Sequence, residues 1–304
     1  MKVFSGTANK ELAERIAKEL GIALSEFEIF VFPDGERRVQ VRERVVEEDC
    51  IIIQPTSPPV DQNYMELFFM IDSLKRSGAR KVTVVSPYLG YQRQDHVFRD
   101  GEAVSLEVIR STLESTGLNK IVVFDLHTIK TPEIFTIDFV HLSALELFAK
   151  TIAAEHLNTS SSLLISPDMG GIRRIEILSK LLHNMPYATI NKNRDLNSGK
   201  VEANELVNFQ DNASYTSALI VDDMISSGKT IVAAVDLLRT KGISNIYVFA
   251  THPVFSDEAK ELLGSSHAKK IFVTDGIYVP VNKRFPTLHI LSLAPLIAKE
   301  LSSS

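Results

Sequence analysis

Short apolar runs alternate along the chain with stretches in which apolar residues return every third or fourth position. Val3-Phe4, Cys50 to Ile53, Val82 to Val85, Ile121 to Phe124 and Ala218 to Val221 are runs of the first kind, as buried strands require, and Phe27 to Phe32 is strand-like. Val39 and Val41 alternate with Gln40 and Arg42, which predicts a half-buried strand. Leu12, Ile16 and Leu20, then Leu67, Ile71 and Leu74, then Ile231, Val235 and Leu238 each line one face of a helix. Turn residues punctuate the pattern at Pro33-Asp34-Gly35-Glu36, and Gly78 stands where a helix would be closed by a glycine. Strands and helices in alternation predict an α/β protein with mainly parallel sheets flanked by helices.

The pattern repeats. Asp72 to Gly78 can be laid over Asp236 to Gly242 at a constant offset of 164, and Val82 and Val84 then fall on Ile246 and Val248. The first strand, at Val3, aligns with Leu164 at a nearby offset of 161. Two copies of one α/β unit follow, with a helix from Ser143 to Leu157 and the tract Asn158 to Ser162 joining them. The expected boundaries are residues 1–142 for the first unit and 143–289 for the second. A C-terminal helix at 290–304, carrying Leu291, Leu293, Leu296 and Ile297, packs on something.

A length of 304 residues suits two such domains. With 44% apolar and 23% charged residues the chain has the make-up of a globular protein. A net charge of −5 gives no reason to expect nucleic acid or an anionic membrane as partner. No apolar run is long enough to span a bilayer, and the start lacks the layout of a signal peptide, so a cytoplasmic protein is expected. Cys50, the single cysteine, excludes an intrachain disulfide and a thiolate metal cluster.

The chemistry centres on Asp222-Asp223-Met224-Ile225-Ser226-Ser227-Gly228-Lys229-Thr230. A strand precedes this polar turn and a helix follows it. Small hydroxyl residues and a glycine at a helix amino end let backbone N–H groups approach an anion. Two acids beside such a cradle suit a phosphorylated sugar, whose hydroxyls or metal they would meet. A Walker A loop needs a glycine five positions ahead of Gly228, where this chain has Asp223. An ordinary capped turn with two solvated acids is the plain alternative.

The rest of the chain narrows the choice. Phe32-Pro33-Asp34-Gly35-Glu36, Pro87-Tyr88-Leu89-Gly90-Tyr91-Gln92-Arg93-Gln94-Asp95, Asp125-Leu126-His127, Ser166-Pro167-Asp168-Met169-Gly170-Gly171, Asn191-Lys192-Asn193-Arg194 and the Asp222 loop occur in this order. Together they resemble the ribose-phosphate diphosphokinase, or phosphoribosyl-diphosphate (PRPP) synthetase, family from the first strand to near the C-terminus. The resemblance implies two tandem phosphoribosyltransferase-type domains, the C-terminal helix returning to the first. It implies a magnesium-dependent transfer of the β,γ-diphosphoryl group of ATP to O1 of ribose 5-phosphate, and a homo-oligomer of dimers or hexamers.

Residue by residue, the resemblance assigns ATP to Asp34, Gly35, Glu36, Arg93, Gln94 and Asp95. It assigns ribose 5-phosphate to Arg194, Asp222, Asp223, Ser226, Ser227, Gly228, Lys229 and Thr230. Lys192 and Arg194 become catalytic cations on a flap over the triphosphate, within a polar segment running to Ser198. His127 and Asp168 become magnesium positions, with Asp125 a further carboxylate candidate. The chain departs from the family pattern at Lys229, where a second glycine is common, at His96, and from Thr128 to Glu133. Arg99 to Ser105 looks closer to archaeal-type members. A PRPP-consuming transferase would explain the second unit alone, leaving Asp34-Gly35-Glu36, Arg93 and Gln94 without a role. A non-catalytic regulatory subunit would have no need of intact Lys192, Arg194, His127 and Asp168.

Overall fold

The structure is a computed structural model that describes residues 1–127, 131–194, 201–209, 215–256 and 258–303, with backbone alone for 192–194 and 201–204. The chain divides into two compact units: Met1–Leu142 with Asp275–Tyr278 and Ser292–Ser304, and Ser143–Thr274 with Val279–Leu291.

Unit 1 runs β1 (Lys2–Ser5), α1 (Lys10–Glu19), β2 (Leu24–Ser25), β3 (Phe27–Val31), β4 (Arg37–Val41), β5 (Asp49–Ile53), α2 (Val60–Arg76), β6 (Lys81–Val85), α3 (Ser105–Ser115), β7 (Lys120–Phe124), α4 (Thr131–Ile134) and β8 (Asp138–Leu142). Among the described residues its main sheet has the order β2-β1-β5-β6-β7-β8, every pairing parallel. Val3-Phe4, Cys50 to Ile53, Val82 to Val85 and Ile121 to Phe124 fall on its central strands, where both faces are covered and continuous hydrophobicity is the rule. Phe27 to Phe32 does not, and its Phe30, Val31 and Phe32 are exposed. β3 and β4 form a separate antiparallel ribbon. Phe27, Val39 and Val41 of this ribbon pack against the core of the unit.

Unit 2 runs α5 (Leu145–Ala154), β9 (Ser162–Ser166), α6 (Ile172–Leu181), β10 (Tyr187–Arg194), β11 (Val201–Val207), β12 (Ser217–Ile225), α7 (Lys229–Thr240), β13 (Asn245–Pro253), α8 (Ala259–Gly264), β14 (Lys270–Thr274) and β15 (Leu288–Leu291). Its sheet has the order β11-β10-β9-β12-β13-β14-β15, parallel except for the β10–β11 pair. Strands β1-β5-β6-β7-β8 of unit 1 and β9-β12-β13-β14-β15 of unit 2 therefore share one winding, which is the duplication that the 164-residue offset predicts. Gly78 and Gly242, equivalent by that offset, both close a helix with positive φ, +89° and +82°.

The final helix, α9 (Ala294–Ser302), belongs to unit 1 and packs on α1 through Ala294, Ile297, Ala298 and Leu301. Leu291 is not part of it; that residue ends β15 in unit 2. Asp275 fastens the helix in place. Its carboxylate accepts from Leu293 N and Ser292 Oγ, both at 2.7 Å, and from Arg15 at 2.9 Å, while its carbonyl accepts from Asn9 Nδ2. Lys120 adds an ion pair to Glu300 at 2.8 Å.

Candidate functional site

In unit 2 the carboxyl ends of β9 and β12 carry the acids. The strand that the apolar run places at Ala218 to Val221 continues to Ile225, so Asp222 and Asp223 lie inside the ladder with β13, Asp222 opposite Ala250. Ladder hydrogen bonds formed with β13 extend the strand past the point where side-chain polarity would end it. Helix α7 likewise starts earlier than its first apolar residue, Ile231, taking in Lys229 and Thr230. The turn between them is thus Ser226-Ser227-Gly228.

Gly228 has φ +83°, and a Cβ there would meet Leu263 of α8 at 2.9 Å. Only glycine combines that conformation with that closeness. The turn is also fixed by Phe255 N donating to Ile225 O and Ser256 N to Ser226 O, at 3.0 and 3.1 Å. Lys229 is exposed and pairs with Glu258 at 2.8 Å. Thr230 is half-buried in the first turn of α7.

Arg174, a residue the sequence patterns did not single out, reaches the acids from α6. Its guanidinium lies 3.5 Å from Asp222 and 3.8 Å from Asp223. Asp223 N donates to Asp222 Oδ1 at 2.9 Å. Burial first, then the charge and hydrogen bonding of Asp223, hold the Asp222 carboxyl well above the usual carboxylate range; Arg174 pulls it down and Asp168 adds to the rise. Asp168, just past β9, accepts from Gly171 N at 3.2 Å. A Cβ at Gly171 would meet Ser166 Oγ at 2.4 Å, so this turn too requires glycine.

Lys192 and Arg194 lie in β10, opposite Ala203 and Val201 of β11. The expected flap is therefore an antiparallel hairpin where it is described; Asp195 to Ser198 of that segment lie outside the described residues.

In unit 1, Asp34-Gly35-Glu36 form the tip of the β3–β4 ribbon. Phe32 N donates to Glu36 O at 2.8 Å, Glu36 N to Asp34 Oδ1 at 3.1 Å, and Gly35 has φ +92°. All three tip residues are exposed. Arg93 and Gln94 are exposed on the loop after β6, and half-buried Asp95 meets His96 Nδ1 at 2.7 Å. Gln92, buried beneath them, accepts from His127 N at 2.9 Å and so ties this loop to the end of β7. His127 itself is exposed; Asp125 is buried with φ +32°, its N–H donating to Leu142 O. Thr128 to Lys130 lie outside the described residues.

Among the described residues no group of three or more His, Cys, Asp or Glu is arranged to hold an ion alone. Magnesium needs only one or two carboxylates when phosphate oxygens and water complete its shell. The acids of unit 2 fit that demand: two adjacent carboxylates with a third nearby, one held at raised pKa, gain by a cation arriving with phosphate. The His127 imidazole is a nitrogen donor and fits a hard cation less well.

Residues 1–117 match the family described as the N-terminal domain of ribose phosphate pyrophosphokinase, and residues 183–301 match a phosphoribosyl synthetase-associated domain. A ribose-phosphate pyrophosphokinase of Fusobacterium nucleatum is 35% identical over 99% of this chain and 94% of its own length. The Corynebacterium ammoniagenes enzyme of that name is 36% identical over 99% and 93%. The chain belongs to the ribose-phosphate pyrophosphokinase family. Among solved structures, phosphoribosylpyrophosphate synthetase from Mycobacterium smegmatis superposes with a TM-score of 0.90, at 34% identity, over 99% of this chain and 97% of that one. The two units are thus the tandem phosphoribosyltransferase-type folds of this pyrophosphokinase family. These bacterial enzymes, and a chloroplastic one of Oryza sativa that is 36% identical, give the archaeal leaning of Arg99 to Ser105 no support.

Proposed function

We propose that this chain is a ribose-phosphate diphosphokinase, transferring the β,γ-diphosphoryl group of ATP to ribose 5-phosphate. The observation that carries the proposal is likeness along 99% of the chain to pyrophosphokinases of the family. The glycine-dependent phosphate turn beside Asp222 and Asp223 supports the same reading.

In unit 2, backbone N–H groups of Ser226 to Thr230, at the positive end of α7, hold the 5-phosphate. Lys229 adds a cation. Asp222 and Asp223 take the ribose 2- and 3-hydroxyls, and Arg174 keeps the two carboxylates from repelling one another out of position. In unit 1, Asp34, Gly35, Glu36, Arg93, Gln94 and Asp95 bind ATP, with Arg93 suited to fork onto phosphate or stack on adenine.

The O1 hydroxyl of ribose 5-phosphate attacks the β phosphorus in line. The bond from the β phosphorus to the oxygen bridging the α and β phosphates breaks, AMP leaves with that oxygen, and the O1 proton passes to solvent. No nucleophilic side chain takes part. Lys192, Arg194 and Arg93 neutralise charge that grows on the phosphoryl oxygens. Magnesium would supply divalent charge that screens the triphosphate; Asp168 in unit 2, and His127 in unit 1 with Asp125 a further candidate, are the positions that would each hold it.

The proposal extends to self-association as dimers or hexamers, with ATP and ribose 5-phosphate as the small-molecule partners, and to a cytoplasmic location. No helix among the described residues is long and apolar enough to cross a membrane. The test is to incubate the purified protein with magnesium, ATP and ribose 5-phosphate and to resolve the nucleotides. AMP formed one-for-one with PRPP, only when the sugar is present, is the expected result. ADP in place of AMP, or no turnover, would overturn it.

A further inference from the structure

Unit 1 contains a buried carboxylate that the reaction does not use. Glu66, on α2, is fully buried. It accepts from Thr7 N at 2.7 Å, Thr7 Oγ1 at 2.8 Å, Gln54 Nε2 at 3.0 Å and Arg37 NH1 at 3.1 Å. Gln54 in turn accepts from Ala8 N. A buried charge persists only when its lone pairs are filled in this way.

The duplicated fold explains the location. Thr7 stands two residues past β1 as Asp168 stands two past β9, and Gln54 follows β5, whose counterpart β12 carries Asp222 and Asp223. The strand-end crevice that faces ligand in unit 2 is closed in unit 1 by the protein's own anion. An arginine completes both: Arg174 beside the acids, Arg37 on Glu66.

Arg37 is the first residue of β4 and follows Glu36 directly. A two-stranded ribbon holds its shape poorly by itself. The far end of this one is anchored by core packing of Val39 and Val41 and by Val41 N donating to Ser73 Oγ. At the tip, residues 31–36 are exposed and their hydrogen bonds are local. Arg37 supplies the tie there, to Glu66 and to Gln62 Oε1 at 3.4 Å.

We infer that Arg37, clamped by buried Glu66, is the positioning residue that fixes the Asp34-Gly35-Glu36 turn for the donor nucleotide. This rests on the assignment of that turn to ATP. It commits unit 1 to a crevice that takes no sugar phosphate and a ribbon whose aim is set from inside.

The test compares Arg37→Met, Glu66→Gln and the double variant with the unsubstituted protein. Four quantities are read: ATP affinity by calorimetry, KM for ribose 5-phosphate, melting temperature, and amide exchange of residues 28–38. Each single variant is expected to weaken ATP binding about tenfold, the scale of a lost charge-assisted contact, with the ribose 5-phosphate KM changed less than about twofold. Tip amides exchange faster in both. The double variant should be no weaker than either single one, because the two residues act through one contact. A folded Arg37→Met protein with unchanged ATP affinity and unchanged tip exchange overturns the inference, as does an equal loss for both substrates. Should Arg37→Met not fold, Glu66→Gln, which keeps an acceptor for Thr7, decides the matter by the same readings. If the unsubstituted protein binds no ATP, the assignment of the turn falls, while faster tip exchange in the variants still upholds the clamp.

Discussion

Arg174 stands 3.5 Å from Asp222, near enough to screen its charge and too far for a full hydrogen bond. The arginine is a counter-charge rather than a full hydrogen-bond donor to Asp222. Arg174→Met removes it while keeping the apolar stem. A loss of about 1.5–3 kcal/mol in ribose 5-phosphate recognition is expected, the usual weight of one charged partner. Steady-state kinetics with ribose 5-phosphate as varied substrate checks this; an unchanged kcat/KM would show that the acids need no screening.

The raised pKa of Asp222 predicts a pH trend in stability. Its native form holds a proton where the unfolded chain has lost it. Native stability therefore falls as pH climbs from the ordinary carboxylate value toward the raised one. Asp222→Asn abolishes this trend. The variant should melt higher than the parent near about pH 7.5, and by a smaller margin near about pH 4, although it loses activity. Thermal denaturation at a series of pH values is the measurement, and a margin independent of pH would refute it.

Cys50 is a silent thiol. It is 1% exposed, and burial pushes its pKa up to about 11. A thiol reagent at about pH 8 should therefore leave the native protein unlabelled and label one equivalent after denaturation. Rapid labelling of the folded protein would place the residue at the surface.

Asp275 receives Leu293 N, Ser292 Oγ and Arg15 around one buried carboxylate. Asp275→Ala leaves a buried N–H without an acceptor and frees the start of α9. A loss of about 1–3 kcal/mol of stability is expected. Proteolysis should reach the α9 end of the chain first. Denaturant titration together with limited digestion tests both statements.

Much of the fold was legible because central parallel strands are continuously apolar, as Cys50 to Ile53 and Ile121 to Phe124 are. The β10–β11 hairpin was not. Asn191, Lys192, Asn193 and Arg194 carry no strand signal, and their strand comes from backbone pairing with β11. Helix α3 escaped notice because Ser105, Ser111, Thr112 and Ser115 dilute its apolar face; only Leu106 and Leu113 are buried in it. Within the candidate site, the Ser226-Ser227-Gly228 turn could be read as a turn because its residues are neighbours in sequence. Arg174 and Asp222 are 48 positions apart, and Glu66 gathers Thr7, Arg37 and Gln54 from separate elements. Such partners meet only once the strands are ordered, so periodicity could not disclose them. An arginine following Gly170-Gly171 on a helix with Ile175 and Leu178 facing inward was the one available hint.

Helix α9 has a bearing on how the polypeptide matures on the ribosome. Asn9 and Asp275, bonded in the finished molecule, are separated by 266 positions. While residues after 142 are being translated, α1 lacks the apolar cover that Ile297 and Leu301 later provide. The usual order, in which the amino-terminal domain closes first, is therefore inverted at this seam. Unit 1 emerges early and is completed last, and a chaperone that shields α1 during the interval would matter more here than in a protein whose domains are contiguous.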